Sequence, residues 1–176
     1  MEARIARFNK VSFDQFMKDW CNTFNLVSTD PNVRKDIESI YGGIELPTRA
    51  TTGSAGYDFY SPLTFSLEPG ETIKIPTGIR CWMSNGWVLM VSPRSGLGFK
   101  YRLQLDNTVG IIDEDYYYSD NEGHIFIKIT NDSKKDKTVE VLRGKGFAQG
   151  IFVPYGITVD DDADAVRNGG FGSTDK

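Results

Sequence analysis

A chain of 176 residues with 39% hydrophobic and 12% aromatic content can fold as one domain. Such a length buries about 70% of the surface its unfolded form exposes. A net charge of −4 argues against a nucleic-acid polymer as partner, because a phosphate backbone calls for a basic face. Cys21 and Cys81 show no partner pattern and no metal-ligand spacing, which fits a reducing cytoplasm. No apolar run approaches the roughly 20 residues that cross a bilayer, and no signal peptide opens the chain.

Residues 1–45 read as a helical N-terminal extension. Ser12 is placed to cap a helix whose apolar positions Phe13, Phe16, Met17, Trp20 and Phe24 recur at helical spacing. Asp30-Pro31 opens a second helix through Val33, Ile37 and Ile40, ended by Gly42-Gly43. The aromatic stripe suits core packing, and the segment is expected to be a lid or interface packed on the main body.

Residues 46–159 change to short apolar runs broken by Gly, Pro, Asn and Asp. Strands are expected near 55–60, 63–67, 71–75, 79–83, 87–92, 103–106, 108–112, 123–130, 137–142 and 147–154. Many short strands at this spacing indicate an all-β sandwich, barrel or jelly roll. Residues 160–176 open with Asp160, Asp161, Asp162 and Asp164 and then turn glycine-rich. They read as an acidic linker followed by a C-terminal arm.

The most informative stretch runs from Asn107 to Tyr116. Ile111 and Ile112 are strand-like, and Gly110 marks a bend or a close approach. Asp113 leaves the apolar run where a carboxylate can face a cavity, and Tyr116 offers a flat face and a hydroxyl. His124, the single histidine, is expected to be a partly exposed strand residue. With one histidine, a Cys/His zinc site is nearly ruled out, and no nucleophile signature accompanies it. Catalysis must then rest on carboxylates, bound metal or phosphate electrostatics. Two further motifs carry anion chemistry. Pro93-Arg94-Ser95-Gly96-Leu97-Gly98 can aim backbone N–H groups at an anion, with donors from Arg94 and Ser95. The tail from Arg167 to Thr174 repeats that chemistry around Phe171, an aromatic set between glycines. Together with the acidic stretch they describe a nucleoside triphosphate site.

In chain order these motifs resemble the five of the trimeric dUTPase (dUTP diphosphatase) family. They are Ala55 to Ser61, Pro93 to Gly98, Asn107 to Tyr116, Arg143 to Gln149, and Arg167 to Thr174. The resemblance implies an all-β, distorted jelly-roll or β-sandwich fold of the dUTPase type, with the helical extension added. It implies that Asp113 activates the water that attacks the α-phosphorus of dUTP, releasing dUMP and pyrophosphate. Asn107 and Gly110 would read uracil, and Tyr116 would pack on the deoxyribose. Arg94, Ser95, Gly96 and Gln149 would hold the phosphates. Arg167, the second catalytic candidate, would close on the β and γ groups with Gly172, Ser173 and Thr174, and Phe171 would cover the base. Asp58 would support the phosphate network, through metal-bound water if it meets the ion. Mg²⁺ is implied as cofactor, held through phosphates and water with no direct protein ligand. A cytoplasmic homotrimer with shared sites is implied as the assembly.

The chain departs from the family pattern in three places. Tyr117 to Gly123 makes a longer turn after Tyr116. Gly146-Phe147 precede Ala148-Gln149 where an Arg is usual, so that Arg143 or Lys145 would have to substitute. Arg167 sits one residue nearer the Phe than is common. Two rival readings stand beside the hydrolase. One is a dCTP deaminase or bifunctional dCTP deaminase/dUTPase with Glu114 as its local acid. The other is a jelly-roll binding protein that acts through residues 1–45.

Overall fold

The computed structural model describes residues 3–169. The short runs fold as antiparallel strands, most of them paired with strands distant in the chain, which leaves each strand one face for the core. In chain order these are β1 (Ala6–Lys10), α1 (Phe13–Phe24), α2 (Pro31–Gly42), β2 (Thr48–Arg49), β3 (Tyr57–Tyr60), β4 (Phe65–Leu67), β5 (Thr72–Pro76) and β6 (Ile79–Met83). They continue as β7 (Trp87–Pro93), α3 (Ser95–Tyr101), β8 (Leu103–Leu105), β9 (Gly110–Ile112), β10 (Phe126–Asn131), β11 (Val139–Val141) and β12 (Gly146–Pro154). A 3₁₀ turn, Glu114–Tyr118, links β9 to the approach to β10.

Among the described residues the strands form four antiparallel sheets. The largest runs β2-β3-β12-β7-β9, and the others are β5-β10-β8, β1-β6 and β11-β4. Alternation fixes which face of each strand turns inward. In β10, Ile127, Ile129 and Asn131 are buried while Lys128 is exposed. Phe59, Leu89, Leu103, Ile125 and Phe147 join them in one core. Each such side chain contributes about 1.5–3 kcal/mol through burial. Asn131, fully buried, has a side-chain amide that donates to the Leu67 and Lys137 carbonyls, so this polar group costs little inside the core.

Helices α1 and α2 form where their caps direct them. Ser12 accepts from the Gln15 N–H at 3.1 Å, and Asp30 accepts from the Asn32 N–H at 2.8 Å ahead of Pro31. Their stripe is core: Phe16, Trp20, Cys21 and Ile37 are buried in the same cluster as the strands, and the Phe16 and Trp20 rings lie 5.1 Å apart. The expected helical segment 1–45 needs one correction. Residues 6–10 are strand β1, laddered to β6 with Phe8 opposite Cys81. Arg7, Asn9 and Lys10 around Ala6 and Phe8 hid this alternation in a polar stretch. The helices are therefore inserted between two strands, and neither lines the cavity described below. The two-residue strand β2 also escaped the sequence reading. Among the described residues no helix is long and apolar enough to cross a membrane.

Candidate active site

Two clusters gather the sequence-predicted site residues. The first grows from a hairpin-like turn between β8 and β9, closed by a single bridge from Leu105 to Thr108, while the two strands themselves pair in different sheets. Thr108, at φ 67°, turns the chain so that its N–H reaches the Leu105 carbonyl at 2.9 Å, and the Val109 N–H reaches Asn107 O at 2.7 Å. β9 then pairs with β7, Gly110 opposite Val91 and Ile112 opposite Leu89, and delivers the chain to Asp113. Asn107, Gly110, Asp113, Tyr116 and Arg167 line a cavity of about 270 Å³ with apolar walls from Ile112, Ile125 and Ile127. Asp113 is half-exposed at its rim.

Arg167 arrives from the extended segment that follows β12. Its Nη2 sits 2.5 Å from Asp113 Oδ2 and its Nε 2.8 Å from Asp115 Oδ1. The sequence reading put this guanidinium on phosphates. In the single chain it meets that chain's own carboxylates, because Asp113 and Asp115 stand together at the strand end and no other cation is among the cavity's lining residues. Asp115 had no assigned role. Its signal was present in the Asp113-Glu114-Asp115 run. Glu114 turns the other way and accepts the Gly86 N–H at 2.6 Å.

Tyr116 is buried, and its hydroxyl is fully engaged. It donates to the His124 carbonyl at 2.7 Å and accepts from Asn121 Nδ2 at 2.8 Å. Desolvation raises its pKa, with the Asn121 hydrogen bond opposing, so the phenol stays protonated as a donor. His124 is the clearest correction. It lies outside any strand and is 0% exposed. Its Nε2 accepts from the Gly78 N–H at 2.8 Å, which leaves the proton on Nδ1, 2.6 Å from Asp19 Oδ2. A polar ring can be buried here because both of its nitrogens are paired. The longer turn Tyr117 to Gly123 closes through Gly123 at φ 69°, where a Cβ would lie 2.6 Å from the Tyr116 carbonyl oxygen.

The second cluster lies across the large sheet. The β3-β12-β7 register sets Gln149 between Asp58 and Ser92. Asp58 Oδ1 is 3.2 Å from Arg94 Nε, and Gln149 Nε2 donates to Pro93 O at 3.4 Å. Ser95 and Gly96 sit exposed in the first turn of α3, just beyond Arg94. Gly146 is where this chain departs from the usual fourth motif. A Cβ there would lie 3.0 Å from the Arg94 side chain, so the missing side chain lets Arg94 cross β12 toward Asp58. Arg143 does not substitute, because its Nη2 bonds the Ser39 and Ile40 carbonyls at the end of α2. No hydrogen bond or ion pair joins Asp58, Arg94 or Gln149 to Asp113, Asp115 or Arg167 among the described residues. Phe171, Gly172, Ser173 and Thr174 lie outside the described residues.

A small antiparallel fold with a carboxylate at a cavity and an arginine in each of two side-chain clusters has the make-up of an all-β hydrolase of a phosphate-bearing substrate. The family then follows from comparison. A dUTPase family model matches residues 43–175. The deoxyuridine 5′-triphosphate nucleotidohydrolase of Lactococcus lactis is 43% identical over 135 residues, spanning 75% of this chain and 89% of its own length. The crystal structure of dUTPase from Streptococcus mutans aligns with a TM-score of 0.57 at 38% identity, covering 66% of this chain and 89% of that one. A mutant dUTPase from phage phi11 of S. aureus, described with a structural Mg(II) ion, shares the fold at TM-score 0.56 and 24% identity, over 70% of this chain and 92% of its own. The chain belongs to the dUTPase family, and its fold is the distorted jelly roll of that family. Helices α1 and α2 lie before the matched span.

Proposed function

We propose that this protein hydrolyses dUTP to dUMP and pyrophosphate, with Asp113 as the base that activates water. The observation that carries the reading is the position of Asp113, at the end of β9 on the rim of a cavity bounded by the Asn107–Gly110 hairpin and Tyr116. Uracil enters against the hairpin, whose backbone groups read its edge. Tyr116 backs the deoxyribose. Asp113 takes a proton from water onto a carboxylate oxygen as that water attacks the α-phosphorus, and pyrophosphate leaves in line. A positioned general base supplies about 10²–10⁴-fold of the acceleration. Arg167 leaves Asp113 for the β and γ phosphates. That exchange frees the base and supplies charge where the transition state needs it. Arg94, Ser95, Gly96 and Gln149 hold the phosphates, and Asp58 keeps Arg94 aimed through their ion pair. Gly172, Ser173 and Thr174 complete the phosphate contacts, and Phe171 covers the base.

The donor set suits Mg²⁺ that arrives with its nucleotide. Among the described residues no three His, Cys, Asp or Glu side chains gather into a cage, and Mg²⁺ bound to a triphosphate keeps most of its waters. Asp58 uses one carboxylate oxygen on Arg94, and the other can take a water of the ion's shell. When bound, the ion offsets negative charge on the phosphate oxygens. The assembly is a homotrimer in the cytoplasm with shared sites. That reading is supported by the division of the site residues into two clusters that do not join within one chain. The deaminase reading loses its acid, since Glu114 is spent on the Gly86 N–H. Hydrolysis in ¹⁸O-labelled water tests the chemistry: the label is expected in dUMP. Label in pyrophosphate would mean attack at the β-phosphorus and would overturn the role given to Asp113.

A further inference from the structure

Two features of this chain outside the common motif set touch each other beside the site. One is the α1–α2 insertion, and the other is the longer turn after Tyr116. Their junction is polar and largely buried. Asp19 of α1 faces Nδ1 of His124 at 2.6 Å, and Gln15 Nε2 steadies the same carboxylate oxygen at 2.8 Å. The far side of the imidazole accepts from Gly78 N–H, so the ring is fixed at both nitrogens. At the rim of the junction, Glu122 accepts from the Ser12 N–H at 2.7 Å and from the Ser12 hydroxyl at 2.6 Å.

We propose that Asp19 and His124 are positioning residues through which the inserted helix sets Tyr116 against the sugar of the substrate. The path is short. The His124 side chain is pinned by α1 and by Gly78, and the carbonyl of the same residue accepts the Tyr116 hydroxyl at 2.7 Å. Asn121, whose carbonyl accepts the His124 N–H at 3.1 Å, gives the second hydrogen bond to that hydroxyl. One residue thus joins the insertion to the ring that backs the cavity. Neither Asp19 nor His124 lines the cavity, so their effect on the reaction passes through Tyr116. A ring held at its hydroxyl by backbone cannot retreat to admit a 2′-hydroxyl. The insertion therefore sharpens the choice of deoxyribose over ribose. A buried, fully paired network has this consequence because loss of one partner leaves the others unsatisfied and free to move.

This inference rests on the dUTP reading above, and the test separates the two. Wild type and variants are compared for pyrophosphate release from dUTP and from UTP. Asp19→Ala is expected to raise KM for dUTP and lower the dUTP-to-UTP preference by roughly tenfold, with kcat for dUTP much less affected. Asp19→Asn keeps an oxygen that accepts from His124 Nδ1–H and is expected to restore the preference. Tyr116→Phe removes only the anchored hydroxyl and is expected to lower the preference alike. Adding Asp19→Ala to it should then change the preference no further, since both act on one contact. If Asp19→Ala fails to fold, Ser12→Ala with Glu122→Gln opens the exposed end of the same junction and is expected to shift the preference in the same direction. A preference unchanged in the folded variants, or additive losses in the double variant, overturns the inference alone. A wild-type protein that leaves dUTP intact overturns the function and this inference with it.

Discussion

The two clusters of site residues are built differently. Around Tyr116 the chain encloses its side chains: a tight turn, a 3₁₀ turn and a buried histidine hold the walls, most polar atoms there are paired within the chain, and Asp113 stands half-exposed at the rim. Around Arg94 the residues stand on the surface of a sheet. Ser95 and Gly96 are exposed, and the Arg94 side chain is 45% exposed beside Asp58. Enclosed walls suit selection of a ligand's shape. An open sheet surface suits an encounter with charge, since a guanidinium there keeps its reach. The contrast teaches that binding and chemistry should be separable by substitution in this molecule.

The largest effects draw that line. Asp113→Asn keeps the cavity's shape and is expected to lower kcat by about 10²–10⁴-fold, with dUTP affinity retained. Arg94→Ala, at the open cluster, is expected to raise KM by roughly ten- to hundredfold, which corresponds to a charged hydrogen bond of about 1.5–3 kcal/mol. Steady-state kinetics on both variants would break the comparison if each changed the same parameter.

Next comes the backbone of the enclosed cluster. Gly123→Ala places a side chain at φ 69° and 2.6 Å from a carbonyl oxygen. A loss of about 1–3 kcal/mol in stability is expected, together with a raised KM, measurable by denaturant unfolding and kinetics. Gly96→Ala, at the open cluster, meets nothing within 4 Å and should leave stability unchanged.

The smallest effect is one of pH. Desolvation pushes the Glu122 carboxyl up, but hydrogen bonds from Ser12 and the Arg80 charge outweigh it, and the net shift is down. A lowered folded-state pKa contributes stability above the ordinary carboxylate value, about 4.3, and loses it as pH falls through the folded value. The Tm difference between wild type and Glu122→Gln is therefore expected at pH 7 and should close as acidification carries the pH down through the lowered folded-state value.

Much of this was legible in the sequence, for reasons that differ by element. Alternation and turn residues placed the expected strands within a few residues of their positions, and Ser12 and Asp30-Pro31 marked the starts of α1 and α2, whereas α3 was expected only as a turn. Local rules sufficed there because caps and turns act over three or four residues. β1 was missed because Arg7, Asn9 and Lys10 mask its inward Ala6 and Phe8, and only pairing with β6 makes it a strand. His124 was misjudged because its burial depends on Asp19, 105 residues away. The site motifs were readable as types, while the contact of Arg167 with Asp113 and Asp115 is a property of the folded chain. The room Gly146 leaves for Arg94 likewise needs the β3-β12-β7 register.

The central claim is that an Asp113-dependent site hydrolyses dUTP. Pyrophosphate release measured across dUTP, dCTP, dTTP and UTP, by wild type and by Asp113→Asn, tests it most directly. The expected result is turnover of dUTP far above the other three and its loss in the variant. Ammonia release from dCTP, or variant turnover of dUTP within tenfold of wild type, would contradict the account.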